Sequence, residues 1–251
     1  MKRLQSILDV DYDKHIKKKW DNVLIIAGDE GISKSTLGLH ILEYWYTKLY
    51  NEIKASDVKH ICLDMKQFLT DLKELKKYEM IVYDEAGDLS NLRVMNRFNY
   101  GVSGSYQVIR GLMIYTVLIL PSVFDLNPFF TKRRARGLIQ VYKRGRFAFW
   151  NKKKLRETIS YNASTNFKNV WKIKPLWRDS FPKYKGILLK PYLKKKEEKI
   201  ERVRIELYNE IFKDEIKAKA KAKAIKEQAQ AKEQAQAKEK AEIQEGFIIH
   251  P

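Results

Sequence analysis

The sequence predicts an α/β fold, and three stretches carry that expectation. Residues 22–36 (NVLIIAGDEGISKST) run an apolar, β-branched strand into two glycines and then into a helix start. Residues 79–86 (EMIVYDEA) hold another apolar run, which stops at two adjacent carboxylates. Residues 112–120 (LMIYTVLIL) are the most apolar segment and suit a strand at the centre of a sheet, buried on both faces. Strands that alternate with helical periodicity place the chain in the α/β class.

Composition sets the limits. A chain of 251 residues with 44% hydrophobic content can bury a sizeable core and carry an appendage. We expect a domain over residues 1–190 and a charged helical tail over 191–251. The formal net charge is +19, from 50 Lys and Arg against 31 Asp and Glu. Such a field is either a solvated surface or a means of attracting an anionic polymer or membrane. The single cysteine, Cys62, excludes an internal disulfide and fits a reducing cytoplasm. The first twenty residues lack the apolar core of a secretory signal, and residues 112–120 are too short to span a bilayer, so no membrane span is expected. Abundant Lys, Glu and Ile are a compositional hint of a thermophile.

In chain order, residues 1–21 read as a short helix or arm whose lysines 17–19 are a solvated cluster rather than a phosphate contact. The strand at 22–27 follows. After its glycine turn a helix runs to about residue 50, with Leu37, Ile41, Tyr44 and Trp45 on one face. Strand, glycine turn and Lys-Ser at a helix start resemble a P-loop, the Walker A motif of nucleotide-binding proteins. Gly28, Asp29, Glu30, Gly31, Ile32, Ser33, Lys34, Ser35 and Thr36 are therefore the candidate phosphate cradle. Backbone N–H groups and the helix dipole favour an anion there. Lys34 would reach the β- and γ-phosphates of ATP or GTP, and the Ser35 hydroxyl would bind Mg²⁺. Ser33 stands where the motif has its second glycine, so a residue with a Cβ must make the tight turn, with Gly31 sharing it.

Residues 59–64 read as another strand and 65–77 as an amphipathic helix with Phe68, Leu69, Leu72 and Leu75 inward. The run ending in Asp84 and Glu85 looks like a Walker B motif with an additional glutamate. Asp84 would hold the Mg²⁺ hydration shell and Glu85 would polarise the attacking water. Residues 89–107 are polar, pair Arg93 with Arg97 and Asn96 with Tyr100 at helical spacing, and precede or include glycines 101, 104 and 111. They are either a connector or a loop that contacts substrate or a neighbouring subunit. The strand at 112–120 ends at Pro121 and Ser122, and Ser122 stands where this class of protein senses the γ-phosphate. Asp125 or Asn127 is positioned to cap a helix. Arg133, Arg134 and Arg136 then form either a basic surface patch or the source of an arginine finger acting in a neighbour's site.

Residues 137–150 show two alternating runs around Arg144-Gly145, a β-hairpin signal. Lys143, Arg144, Arg146, Lys152, Lys153, Lys154 and Arg156 interleave with Tyr142, Phe147, Phe149 and Trp150, a mixture that follows a nucleic-acid backbone. The alternative is a hairpin whose aromatics are simply core. Residues 157–190 carry aromatics without regular period and are expected to wrap the domain. Beyond residue 192 the chain is helical and charged, with residues 217–245 of low complexity. Ile200, Val203, Leu207 and Ile211 recur at three- and four-residue spacing and mark the best stretch for a coiled-coil partner. Positive charge in the tail is nearly balanced, so the excess sits on the body.

Taken together, these motifs make the first 150 or so residues resemble the FtsK–HerA division of P-loop ATPases, and within it the zonular-occludens-toxin-like ATPases of phages, archaeal viruses and plasmids. The resemblance implies a RecA-like P-loop NTPase core with a central, mostly parallel sheet, here with a β-hairpin extension and a C-terminal helical tail. It implies ring-shaped homo-oligomers and Mg²⁺-dependent ATP hydrolysis coupled to moving DNA, as in packaging or mobilising a viral or plasmid genome. The chain departs from the filamentous-phage members in lacking a spanning segment and a clear glutamine at the tip of its 112–120 strand. A nucleotide-regulated DNA-binding or assembly protein with little turnover is the alternative. A small-molecule kinase is third, since its acid–base and lid signatures are missing and the positive field exceeds what it needs.

Overall fold

The computed structural model describes residues 1–86, 110–165, 168–213 and 228. At its centre every residue of β1 (Asn22–Ala27) is buried. β1 pairs in parallel with β4 (Tyr115–Leu120) on one edge and with β5 (Ala135–Lys143) on the other. Outward from β4 lie β3 (Met80–Asp84) and the two-residue β2 (Ile61–Cys62), both parallel. Outward from β5 lie β6 (Arg146–Asn151) and β7 (Trp177–Ser180), both antiparallel. The result is a mostly parallel, mixed seven-stranded sheet in the order β2-β3-β4-β1-β5-β6-β7.

Side-chain alternation along the strands divides the core in two. Leu24 and Ile26 of β1 join Val82, Val117 and Ile139 on one face. There they pack against Leu4 and Leu8 of α1 (Lys2–Lys18) and Leu37, Ile41 and Trp45 of α2 (Lys34–Tyr50). Val23, Ile25 and Ala27 point to the other face with Ile81, Leu118 and Leu138. That side is covered by Phe68 and Leu72 of α3 (Met65–Glu74) and by Leu155 of α4 (Lys152–Thr165). Helices on both faces explain why the strands read as continuous apolar runs rather than alternating ones.

Several boundaries move for local reasons. The strand expected at 59–64 shrinks to Ile61–Cys62 because a 3₁₀ turn, Ala55–His60, takes the residues before it. That turn is held by the Asp57 carboxylate accepting from Lys54 N at 2.8 Å. α3 is capped by Asp64, whose side chain accepts from Gln67 N at 2.8 Å. It stops before Leu75, which is buried but extended. Between β4 and β5 the N-cap position falls on Pro128, so neither Asp125 nor Asn127 is the helix cap; Asn127 instead accepts from Phe129 N at 2.9 Å. A single π-helical turn, Phe129–Arg134, follows. The hairpin between β5 and β6 turns at Gly145, with φ 74°.

The chain divides into two units, Met1–Lys196 and Glu197–Pro251. The first takes in the start of α5 (Leu189–Ile211). In the second unit Ile200, Val203, Leu207 and Ile211 are exposed. The segment with Arg93, Asn96, Arg97 and Tyr100 and almost all of the low-complexity tail lie outside the described residues. No helix among the described residues is long and apolar enough to cross a membrane.

One buried group makes the fold sensitive to acid. His15 of α1 is fully buried, edge-on to Trp45, Tyr78 and Tyr115 at 5.3, 5.8 and 6.0 Å between ring centres. Burial lowers its pKa from 6.5 to about 4, and backbone contacts with Met113 and Trp20 offset only part of that. Between these two values the unfolded chain holds the extra proton. Stability from this group is therefore full above pH 6.5 and is lost as pH falls towards 4. We expect wild type to lose on the order of 2 kcal/mol more than His15→Phe between pH 7 and 4.5 in chemical denaturation. Equal losses in the two proteins would remove His15 as the cause.

Candidate functional site

The site begins where β1 ends. Gly28 N donates to Pro121 O at 3.0 Å, and Gly28 has φ 145°. A Cβ at this position would run into the Val141 carbonyl of β5 and come within 2.8 Å of Ile32 Cδ1. Glycine is therefore required by both backbone angle and space. Two further residues bend the chain into α2. Gly31 has φ 73° in open space, and Ser33 has φ 75° and ψ 31°. Serine thus takes the left-handed conformation that glycine would adopt without strain.

No side chain caps the start of α2, and its first backbone bond is Leu37 N to Ser33 O at 3.3 Å. The N–H groups ahead of it have no helical acceptor. Lys34, Ser35 and Thr36 line a cavity of about 610 Å³ together with Glu30, Gly31 and Ser33. The Lys34 ammonium lies 2.6 Å from both Gly28 O and Asp29 O. Burial lowers its pKa, against the pull of the Asp84, Glu30 and Asp29 carboxylates.

The opposite wall comes from β3. Asp84 is 3% exposed and Glu85 follows in the left-handed conformation at φ 72°. Both line the cavity, and Ile119, Leu120 and Pro121 at the end of β4 lie between them and the turn. Ser35 Oγ donates to Asp84 Oδ1 at 3.1 Å, across 49 residues of sequence. Lys34, Ser35, Asp84 and Glu85 therefore meet at the carboxyl ends of parallel strands.

Two contacts had not been expected from sequence. Tyr192, on the first turn of α5, donates its hydroxyl to Asp84 Oδ2 at 2.6 Å. Burial first, and then the Asp84 charge, push the phenol's pKa up, so it stays protonated and donates. Leu193 and Lys196 line the same cavity. The helix is anchored beside it by Lys195, whose ammonium reaches Ile61 O at 2.6 Å, Val58 O at 3.3 Å and Lys59 O at 3.4 Å. The second contact is Arg144, at the hairpin tip, which donates to Gly31 O at 3.2 Å. The only hint of Tyr192 in the sequence is an aromatic at the start of a Lys- and Glu-rich helical run.

Other expected residues lie elsewhere. Arg133, Arg134 and Arg136 sit at the opposite end of the sheet, at the start of β5. Arg134 is paired with Asp21 at 2.6 Å and Arg136 with the fully buried Asp11 at 2.7 Å. Ser122 Oγ accepts from Phe124 N at 3.3 Å and caps the turn after β4. The basic, aromatic-interleaved surface expected around the hairpin is split. Phe147, Phe149 and Trp150 are core, Arg144 lies by the turn before α2, and Lys152 lies at the far end of β6 with Arg134 and Arg136.

Among the described residues no three His, Cys, Asp or Glu side chains cluster as a metal cage. The Ser35 hydroxyl and Asp84 carboxylate are hard oxygen donors, a partial set of the kind Mg²⁺ completes with water and phosphate. No protein-family model matches the chain, and no curated protein matches it.

The turn gives a stability prediction that needs no ligand. Ser33→Gly relieves a left-handed serine but frees the unfolded chain, for a net gain of about 0.5–1 kcal/mol. Gly28→Ala has no room to relax and should cost several kcal/mol, about 3 or more. Thermal or chemical melts of the two variants measure this directly. Destabilisation by Ser33→Gly would mean that the serine side chain supports the turn.

Proposed function

We propose that this chain is a Mg²⁺-dependent ATP-hydrolysing motor that acts on DNA, with a RecA-like core and a homo-oligomeric ring as its working form. The observation that carries the proposal is the Ser35–Asp84 hydrogen bond, 3.1 Å, with Lys34 and Glu85 lining the same cavity. A loop of backbone N–H groups, an ammonium, a hydroxyl–carboxylate pair and a second carboxylate are the parts phosphoryl transfer to water needs.

The roles follow from position. The uncapped start of α2 receives phosphate oxygens. Lys34, held on Gly28 O and Asp29 O, stands at the mouth of the turn and moves its charge onto the β- and γ-phosphates. Ser35 and Asp84 would hold Mg²⁺, which would neutralise phosphate charge. Glu85 takes up the proton of the attacking water. An arginine from a neighbouring subunit would complete the site. Arg134 and Arg136 are poor candidates, because moving Arg136 strands the buried Asp11 and moving Arg134 strands the half-buried Asp21, whereas Arg133 makes no ion pair among the described residues.

A second reading is favoured by one contact. Both Asp84 oxygens are engaged, one by Ser35 and one by Tyr192, so metal must compete with a phenol for its carboxylate. A nucleotide-regulated DNA-binding or assembly protein with little turnover would be built this way.

We expect ATP turnover that rises with DNA and is lost in Lys34→Ala together with nucleotide binding. Glu85→Gln should keep ATP binding and lower turnover by about 10²–10³-fold. Tyr192→Phe should raise Mg²⁺-dependent nucleotide affinity several-fold. Phosphate-release assays beside nucleotide-induced melting shifts separate the readings. Binding without turnover in wild type selects the second, and undiminished turnover in Glu85→Gln rejects the assignment of the water-activating base.

A further inference from the structure

At the end of the sheet away from the turn before α2 lies a cleft of about 860 Å³. It opens beside Asn22, where β1 begins, and takes in the start of β5. β1 has six residues, which at the rise of a strand puts this cleft roughly 20 Å from the cavity at Lys34. Seven cationic side chains line it against two carboxylates, Asp11 and Asp21. Both carboxylates are used within the wall. Asp21 is paired with Arg134, and Asp11 with Arg136 and the Tyr115 hydroxyl at 3.1 Å. Lys14, Lys18, Arg110, Arg133 and Lys152 are left, and none of the five makes an ion pair among the described residues. Lys152 feels the crowding, since burial and then the Arg156 and Arg136 charges lower its pKa.

Like charges gathered in a concave wall oppose folding unless something anionic joins them. The same cleft holds Trp20, 54% exposed, with the Lys18 ammonium 5.4 Å from its ring centre. A large aromatic left in solvent amid five cations outside any ion pair among the described residues suits a stacking platform beside a phosphate track. Five cations exceed what a mononucleotide requires, and the bases of a duplex cannot stack on a ring. We propose that this cleft binds a single strand of nucleic acid, with its phosphates on Lys14, Lys18, Arg110, Arg133 and Lys152 and a base on Trp20. The site is separate from the cavity at Lys34, and strand binding needs neither nucleotide nor hydrolysis.

The test uses the full chain and a fluorescein-labelled 20-nucleotide oligothymidylate, read by anisotropy from 50 to 200 mM salt. Lys18→Glu with Arg110→Glu changes two exposed side chains and should weaken binding at least tenfold. It should also flatten the log–log salt slope by about 1.4, two single-strand phosphate contacts' worth. Trp20→Ala should weaken binding about five- to a hundredfold with little change in salt slope. Lys34→Ala should bind the oligonucleotide as wild type does, which keeps this test apart from the ATPase reading. Circular dichroism confirms that each variant is folded. The assignment is overturned by wild-type affinity in the double charge reversal. It is equally overturned if a duplex binds tighter than the strand while Trp20→Ala is neutral, or if inorganic polyphosphate of matched charge competes as well as unlabelled strand.

Discussion

β1 has no free edge and no free face. Parallel partners take its backbone groups on both sides, and helices cover both layers of its side chains. Its chain can leave only over the end of the sheet, and there the Val141 carbonyl already occupies the space a Cβ would need. Gly28 follows from that crowding, and the turn to α2 follows from Gly28. The turn delivers Lys34 and Ser35 to the rim of the sheet, while β4, seated between β1 and β3, sets the spacing to Asp84. The site is a consequence of strand order, with the chemistry supplied by whichever residues follow each strand.

That dependence explains what could be read in advance. β1 and β3 are apolar runs ended by glycines and by adjacent carboxylates, so both their existence and their ends show in the residue pattern. The hairpin showed for the same reason, through Arg144-Gly145. α4 did not, because its buried face is Leu155, Thr158 and Asn162, of which only the leucine is apolar. Asn162 is buried because its side chain closes hydrogen bonds to Thr158 O at 2.7 Å and Asn169 N at 2.5 Å, a polar solution that no hydrophobic period reveals. β7 alternates half-buried and exposed residues over four positions, and pairing with β6 alone makes it a strand. Tyr192 reaches Asp84 across 108 residues, which no local pattern encodes.

The two ends of the sheet differ in charge logic. At the Lys34 end three cations have backbone acceptors: Lys34 on Gly28 and Asp29, Lys195 on three carbonyls, Arg144 on Gly31. Their positive charge is fixed in place. At the Asn22 end two arginines pair with the two carboxylates that line the cleft, and the other five cations make no ion pair among the described residues. A formal charge of +19 spread evenly would be a solvation device. Concentrated around a cleft with a solvent-facing tryptophan, part of it suits the strand-binding role we propose, apart from the ligand proposed for the Lys34 end.

The contact that joins the proposed nucleotide site to the rest of the domain is Tyr192 to Asp84. Its phenol is 5% exposed, so it cannot swing into water without α5 shifting or the ring crossing packed side chains. α5 resists shifting because Lys195 is tied to the carbonyls before and within β2. A metal ion that claims Asp84 must therefore either share the carboxylate with the phenol or displace a strapped helix. In the first case Tyr192 tunes the carboxylate. In the second, occupancy at Asp84 is transmitted to β2 and to the 3₁₀ turn ahead of it, which turns a single hydrogen bond into a mechanical link. On the proposed reading, the element with two positions would be the start of α5, biased by exchange of one Asp84 oxygen between phenol and metal.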